Sequence, residues 1–383
     1  MKNPYLEVIR GFAALEVFMA HVLMFFPVIS SKPIFKLVGG YGHEAVIVFF
    51  MLSGIVIYIS QSYKPKNKKE FILNRFKRIV PIYWLAILIS LLAMYLIAQS
   101  EFPSIEKIFT SFLLLGNAHS IVSNGPIWSL TYEMIFYYLF ALTIGINQKN
   151  KITIWFIAAL GFLIVYLFTP GQSQKSFSIL AVISYSIIWL FGYKLVEISR
   201  YINFSFRDSI FSFLLIIIVS RIDYLGKDYV IVNDLINSLL AAPIFIHVLN
   251  KTNNEAPAER PILFFLAGMY LILIFMLFLL SNADFNNKII YSIVPAFYIL
   301  SYYVFIKVDF NKINALLIKI GMYLGVISFS FYILHYPFLY LFSFKFHENQ
   351  ILGLLICVCI IFPLCFFLEK YYQPFLMRLL SKK

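Results

Sequence analysis

Long apolar runs follow one another along the whole of this 383-residue chain. A helix needs about 20 apolar residues to cross a bilayer, and twelve runs approach or exceed that length. The seventh run is short and the fourth is polar at its start, so ten to twelve crossings are expected. The sequence therefore predicts an all-α, polytopic integral membrane protein with 10–12 transmembrane helices. The runs cover residues 5–28, 44–62, 79–98, 127–146, 152–168, 177–198, 209–222, 230–249, 261–280, 287–306, 318–343 and 350–369.

Lysine and arginine are distributed unevenly between the two sides of these runs. If the N-terminus is cytoplasmic, 23 of the 31 lysines and arginines fall at cytoplasmic ends and loops, as the positive-inside rule requires. Both termini are thus predicted to be cytoplasmic. The same bias accounts for the net charge of +13, so no nucleic-acid partner is expected. No long polar stretch separates the runs, and residues 1–383 are interpreted as a single membrane domain with no appended soluble domain.

Arg10 and His21 share one face of the first run, which is otherwise almost wholly apolar. Eleven residues at about 100° each bring His21 to within roughly 20° of Arg10, about 16 Å further along the helix axis. Ionisable groups at membrane depth are costly and usually mark a path or a site. Glu16 points about 140° away from His21 and is a poor direct partner for it. The sequence thus predicts a cation at the entrance of this helix and an imidazole at depth.

Two arginines at the start of the third run form a second signal. Arg75 and Arg78 are three residues apart, so a helix turns both to one side, at the same predicted cytoplasmic level as Arg10. Three guanidiniums there could hold a polyphosphate, because arginine matches phosphate oxygens and stays charged. The alternative is that they only anchor the helix at the cytoplasmic face, which is our interpretation of the lysines in residues 64–69.

A third signal precedes and opens the fourth run. Gly125-Pro126 ends a polar loop, and Trp128 stands where an interfacial aromatic residue would anchor the chain. Glu133 follows about a turn and a half inside the helix, in the predicted outer half of the membrane. Its carboxylate could orient a catalytic histidine or hold the hydroxyl of an acceptor. The alternative is a helix-start carboxylate favoured by the helix dipole.

Two further histidines are candidates for the site. His43 opens the second run near the predicted outer surface, where it is either a site residue or a solvated loop residue. His335 lies in the outer half of the eleventh run, two residues before Pro337, which frees a backbone carbonyl. A structural hydrogen bond and a role in the site are both open for His335. Histidine, acid and cysteine do not cluster with metal-ligand spacing, so no metal is expected.

Five segments, taken in order, resemble the integral-membrane acyltransferase family 3, whose members acylate sugars and other envelope components. The resemblance extends over most of the chain, although nothing between about 147 and 316 matches it. The segments are Arg10-Gly11 followed by His21, Phe49-Phe50-Met51-Leu52-Ser53-Gly54, Arg75-Phe76-Lys77-Arg78-Ile79-Val80-Pro81, Trp128-Ser129-Leu130 with Glu133, and Ser330-Phe331-Tyr332-Ile333-Leu334-His335-Tyr336-Pro337.

The resemblance implies an acyl-CoA donor in the cytoplasm, expected to be acetyl-CoA, and a glycan or lipid-linked sugar as acceptor, commonly at the outer face. The protein itself is expected to be a multi-pass protein of the inner (plasma) membrane. His21 would be the family's essential histidine, and Arg10, Arg75 and Arg78 would bind the donor. With Glu133 orienting its ring, His21 would act as general base on the acceptor hydroxyl. A route in which His21 is acylated first is equally open.

Of the remaining candidates, His43, Trp128 and His335 are assigned to binding of the acceptor. The main alternative function is a glycan or lipid transporter, in which His21, Glu133 and the arginines line a substrate pathway. The sequence has no inverted repeat and no paired broken helices to support it. A glycan polymerase would be expected to carry a large, basic outer loop, whereas the longest predicted outer segment, about 99–126, contains only one lysine.

Overall fold

Each of the twelve predicted runs forms a helix in the computed structural model of the protein, and the described residues contain no β-sheet. The structure describes residues 3–32, 34–35, 39–97, 102–115, 121–169, 178–222, 230–251, 257–259, 262–280, 285–302 and 311–381. In chain order the helices are α1 (Pro4–Phe25), α2 (Gly42–Tyr63), α3 (Lys68–Ile97), α4 (Trp128–Thr143), α5 (Gln148–Phe168), α6 (Ile179–Ile198), α7 (Phe206–Ile222), α8 (Val230–Asn250), α9 (Ile262–Leu280), α10 (Phe285–Leu300), α11 (Asn311–Lys345) and α12 (Gln350–Phe367). Shorter pieces are Pro27–Ser30, Ile105–Phe112, the 3₁₀ turn Val122–Ile127, the π-helical turn Leu368–Tyr372 and Gln373–Ser381.

Eight helices within the described ranges are long and apolar enough to cross a membrane. They are α1, α2, α3, α5, α6, α8, the Leu316–Lys345 part of α11, and the segment Gln350–Leu379 that begins with α12. The helices α4 and α7 have only 16 and 17 residues, which agrees with the polar start of the fourth run and the shortness of the seventh. The all-α membrane fold is confirmed, whereas the cytoplasmic location of the termini stays a prediction.

Contacts divide the chain into two compact units. The first comprises Met1–Leu6, Ile47–Lys64 and Trp155–Lys319, and the second comprises Glu7–Val46, Pro65–Ile154 and Ile320–Lys383. All eight residues proposed for the site from the sequence belong to the second unit. The interpretation of residues 1–383 as a single membrane domain stays a prediction.

In the second unit, α1 and α11 cross at a contact made by glycines. A Cβ placed on Gly11 would lie 2.4 Å from the carbonyl oxygen of Gly321, and one placed on Gly325 would lie 2.2 Å from the carbonyl oxygen of Glu7. No real Cβ fits at such distances, so the two backbones approach this closely because these positions have no side chain. Small residues spaced four apart are the usual means of close helix packing in membranes.

The second unit also encloses the 3₁₀ turn before α4. Ser123 and Asn124 are fully buried there. The Ser123 hydroxyl donates to the carbonyl of Ser90 at 2.9 Å, and the Asn124 amide donates to the Ser90 hydroxyl at 3.0 Å and to the carbonyl of Ile333 at 3.2 Å. Ile333 is the carbonyl that lacks its helical partner because residue 337 is proline. The polar end of the predicted outer loop is therefore buried, and its polar groups satisfy those of α3 and α11. Its location on the outer side stays a prediction.

The first unit contains a second close helix contact, between α2 and α6. A Cβ on Gly54 would lie 2.1 Å from the carbonyl oxygen of Trp189. A Cβ on Gly192 would lie 2.3 Å from the carbonyl oxygen of Met51. The Trp189 indole donates to the hydroxyl of Ser53 at 3.0 Å beside this contact. The Ser53-Gly54 end of the second resembling segment thus has a packing function in the structure.

We expect Gly11→Ala to lower the thermal unfolding midpoint of the detergent-purified protein. Its new Cβ meets backbone atoms of α11, which have to move, and overpacking of this kind costs about 1–3 kcal/mol. Gly161→Ala is the matched control, because nothing lies within 4 Å of its Cβ position and alanine favours a helix by up to about 1 kcal/mol over glycine. Equal midpoints for the two variants would contradict the proposed close crossing.

Candidate functional site

His21 and His335 form a hydrogen-bonded pair between α1 and α11. The Nε2 atom of His335 lies 3.0 Å from the Nδ1 atom of His21. Each Nδ1 atom also faces the carbonyl one turn earlier in its own helix, at 2.7 Å to Val17 for His21 and 3.0 Å to Phe331 for His335. His335 is fully buried, whereas His21 is partly exposed. The structure therefore brings together two histidines that are 314 residues apart in the sequence.

These contacts determine where the protons lie when both rings are neutral. A carbonyl oxygen only accepts, so the His335 Nδ1 atom carries the hydrogen that it donates to Phe331, and its Nε2 atom is an acceptor. The Nδ1 atom of His21 then carries a hydrogen shared between Val17 and His335. The remaining nitrogen of His21, Nε2, then carries a lone pair, for which no hydrogen-bond donor is found among the described residues. Because the Nδ1 atom of His21 already carries a hydrogen, Nε2 is the atom of this ring that can take up a proton.

Aromatic rings surround the histidine pair. Tyr336 presents its ring to His21 edge-on at 4.9 Å between centroids, and Phe25 contacts Tyr336 at the same distance. Tyr336 also lies against Gly125, where a Cβ would be 3.6 Å from its ring. The buried turn before α4 therefore reaches the edge of the histidine pair.

His43 and Trp128 are also brought together. Their rings are nearly parallel, with centroids 6.3 Å apart, and the His43 side chain is exposed. His43 stays close to α1 because the Glu16 carboxylate accepts from the backbone N–H of Tyr41 at 2.9 Å. A Cβ on Gly42 would lie 2.7 Å from that of Ala20, the residue before His21. Glu16 thus anchors the start of α2. The sequence showed only that Glu16 points away from His21 and did not indicate this role.

Glu133 lies on α4 in a cluster with Tyr137 and Arg75. The Tyr137 hydroxyl, one turn further along α4, donates a short hydrogen bond to its carboxylate. The Arg75 guanidinium stands over the rings of Tyr137 and Phe71, 5.6 and 5.7 Å from their centroids. No contact between Glu133 and His21 is found among the described residues, and the ring of His21 contacts His335 instead. The orientation of His21 by Glu133 stays a prediction.

The three predicted arginines lie in one electrostatic neighbourhood but differ in their partners. Arg10 forms an ion pair with Glu7, one turn earlier, at 2.6 Å. Arg78 is exposed and interacts electrostatically with Arg75. Both Arg10 and Arg78 also interact with the carboxylate of Glu369. Among the described residues, the Nε atom of Arg75 is buried and has no hydrogen-bond partner.

Sequence reasoning missed Glu369, which lies in the π-helical turn after α12. Its carboxylate accepts from the backbone N–H of Ser330 at 3.1 Å and from the Ser330 hydroxyl at 2.8 Å. The available signal was an acidic residue directly after an apolar run of eighteen residues. This contact ties the C-terminal segment to the part of α11 that leads to His335.

Comparison with known proteins identifies the family. A family model described as an acyltransferase domain, acyltransferase family 3, matches residues 3–370 and confirms the resemblance found in the sequence. The exopolysaccharide production protein ExoZ of Rhizobium meliloti (strain 1021) is 30% identical over 108 residues, 26% of this chain and 33% of that protein. The acyltransferase MdmB of Streptomyces mycarofaciens is 31% identical over 170 residues, 42% of this chain and 44% of that protein. The matched region spans less than half of either relative, and no solved structure matches the chain.

We expect His21 to populate the tautomer with hydrogen on Nδ1, because Val17 and His335 both accept from that atom. Nitrogen-15 spectra of the histidine-labelled protein, assigned with His21→Gln, would test this among the six histidines. His347, whose side chain is 76% exposed, serves as the reference for a solvent-averaged ring. A His21 signal from the opposite tautomer would contradict the proton arrangement.

Proposed function

We propose that this chain, which belongs to the acyltransferase family whose model matches residues 3–370, transfers an acetyl group from acetyl-CoA to a hydroxyl of a cell-envelope glycan or lipid-linked sugar. The single observation that carries the proposal is the His21–His335 pair, which leaves a basic nitrogen on a partly exposed ring. The proposed location is the inner (plasma) membrane, with the donor entering from the cytoplasm.

In this mechanism His21 acts as general base. Its Nε2 atom takes the proton of the acceptor hydroxyl while the oxygen attacks the thioester carbonyl, forming the new C–O bond. When the C–S bond breaks, the departing sulfur of coenzyme A receives that proton from His21. While His21 is charged, its Nδ1 hydrogen is still held by Val17 and His335, which keep the ring in place and stabilise the imidazolium. His335 thus performs the orienting part that a carboxylate plays in a catalytic triad.

The arginines support binding of the donor. A buried N–H without a partner is costly, and a phosphate oxygen would satisfy the Nε atom of Arg75. Arg10 and Arg78 would add positive charge nearby. Arg10 and His21 are about 16 Å apart along α1, a separation that suits the extended pantetheine arm of coenzyme A between a phosphate at the arginines and a thioester at the histidine.

The stacked pair of the exposed His43 and the half-buried Trp128 supports a sugar as acceptor. Flat aromatic rings offer an apolar face to a sugar ring, and a stacked pair keeps that face rigid. Because Gly42 packs on the residue before His21, the pair lies next to the proposed base. The relative named for exopolysaccharide production agrees with such an acceptor.

We expect detergent-purified protein to bind acetyl-CoA in calorimetric titration, and Arg75→Ala to weaken the affinity by about tenfold or more, since a hydrogen bond to a charged group contributes about 1.5–3 kcal/mol. Lys69→Ala is the matched control, because it removes an exposed cation from the first turn of the same helix. Absence of binding by the folded wild type would overturn the acyl-CoA proposal and favour the transporter. If Arg75→Ala and Lys69→Ala bound acetyl-CoA with equal affinity, Arg75 would not be part of the donor site.

We expect His21→Ala to lower acetyl transfer by about 10²–10⁴-fold, the usual contribution of a general base, while acetyl-CoA affinity stays close to wild type. The assay follows radiolabelled acetyl groups from acetyl-CoA into the envelope fraction of the organism that carries this chain. His347→Ala, an exposed histidine on the segment after α11, is the control. Wild-type transfer by His21→Ala would exclude it as the base.

A further inference from the structure

The Tyr137 hydroxyl occupies a position that the mechanism above does not use. Glu133 and Tyr137 are four residues apart on α4, so both side chains lie on one face of that helix. The hydroxyl donates to the Glu133 carboxylate, and the Arg75 guanidinium packs over the ring of the same tyrosine. Tyr137 is therefore the physical link between a carboxylate and an arginine of the proposed donor site.

Charge balance explains why this link matters. Arg10 has a carboxylate in direct contact, at 2.6 Å, whereas no direct ion pair is found for Arg75 among the described residues. A partly buried guanidinium needs compensating negative charge. Glu133 supplies it across Tyr137, and Tyr137 also offers the electron-rich face of its ring, which attracts cations. Arg75 is thus held in place without a carboxylate occupying its N–H groups.

Because a direct ion pair would fill the donor atoms, this indirect arrangement leaves them for a ligand. The unpartnered Nε atom of Arg75 is the visible result. Phosphate is the ligand chemistry that fits such a guanidinium, since its oxygens accept in the planar geometry that arginine presents.

We propose that Glu133 and Tyr137 are positioning residues, which hold Arg75 with its donors directed toward a phosphate of the acyl donor. This inference rests on the proposed function. Under this inference, Glu133 contributes to binding of the acyl donor and does not orient His21. The two roles have different kinetic signatures, because orienting the base affects kcat, whereas holding Arg75 affects the KM and Kd for the donor.

The test compares Tyr137→Phe and Glu133→Gln with Tyr138→Phe, an exposed tyrosine on the same helix. Tyr137→Phe keeps the ring that Arg75 packs on and removes only the hydroxyl. We expect it to raise the KM and Kd for acetyl-CoA by about tenfold, with kcat within about twofold of wild type. Glu133→Gln should shift the same two constants, and Tyr138→Phe should leave all three unchanged.

A double-mutant cycle separates positioning from a general loss of structure. If Tyr137 acts through Arg75, adding Tyr137→Phe to Arg75→Ala should weaken the affinity no further than Arg75→Ala alone. Additive losses would overturn the inference, as would an unchanged donor affinity in Tyr137→Phe. A fall in kcat with constant KM in Glu133→Gln would instead support the role of Glu133 in orienting His21. In each of these cases wild-type binding of acetyl-CoA would leave the proposed function standing.

Discussion

The close crossing of α1 and α11 is the contact on which the site depends. Gly11, Gly321 and Gly325 let the two backbones meet, and the helices then run in the same direction, with Phe18 against Phe331 before the histidines are reached. His21 lies ten residues beyond Gly11, and His335 lies ten residues beyond Gly325. Equal rises of about 15 Å from the crossing therefore bring the two rings to the same level.

Because lipid offers no hydrogen bonds, a backbone group freed inside a membrane helix needs a partner from the protein itself. Pro337 would leave the carbonyl of Ile333 unpaired within α11, and Asn124 supplies the missing donor. The same asparagine bonds to Ser90 of α3. One side chain thus secures α11 to the buried turn and to a second helix, four residues before Pro337 and two residues before His335. The motif around His335 therefore has a structural function besides the catalytic one proposed for it.

The sequence was sufficient for the helices, but not for the partners of the residues proposed for the site. Apolar length located all twelve helices, and helical spacing placed Arg10 and His21 on one face, because both depend on neighbours along the chain. The partner of His21 is 314 residues away, and no local pattern could identify it. Glu133 was assigned to His21 because a carboxylate commonly orients a catalytic histidine. Tyr137, one of 26 tyrosines, gave no sign that it would hold that carboxylate.

The tautomer of His335 has a further consequence for the path of protons. Its Nδ1 hydrogen is committed to the carbonyl of Phe331, and its ring is fully enclosed, so the hydrogen-bonded chain that begins at His21 ends inside α11. Among the described residues, no hydrogen bond continues that chain beyond α11. In the proposed mechanism, the proton that Nε2 of His21 takes from the acceptor therefore leaves by the same nitrogen. Acyl transfer by that mechanism would need no net movement of protons across the bilayer.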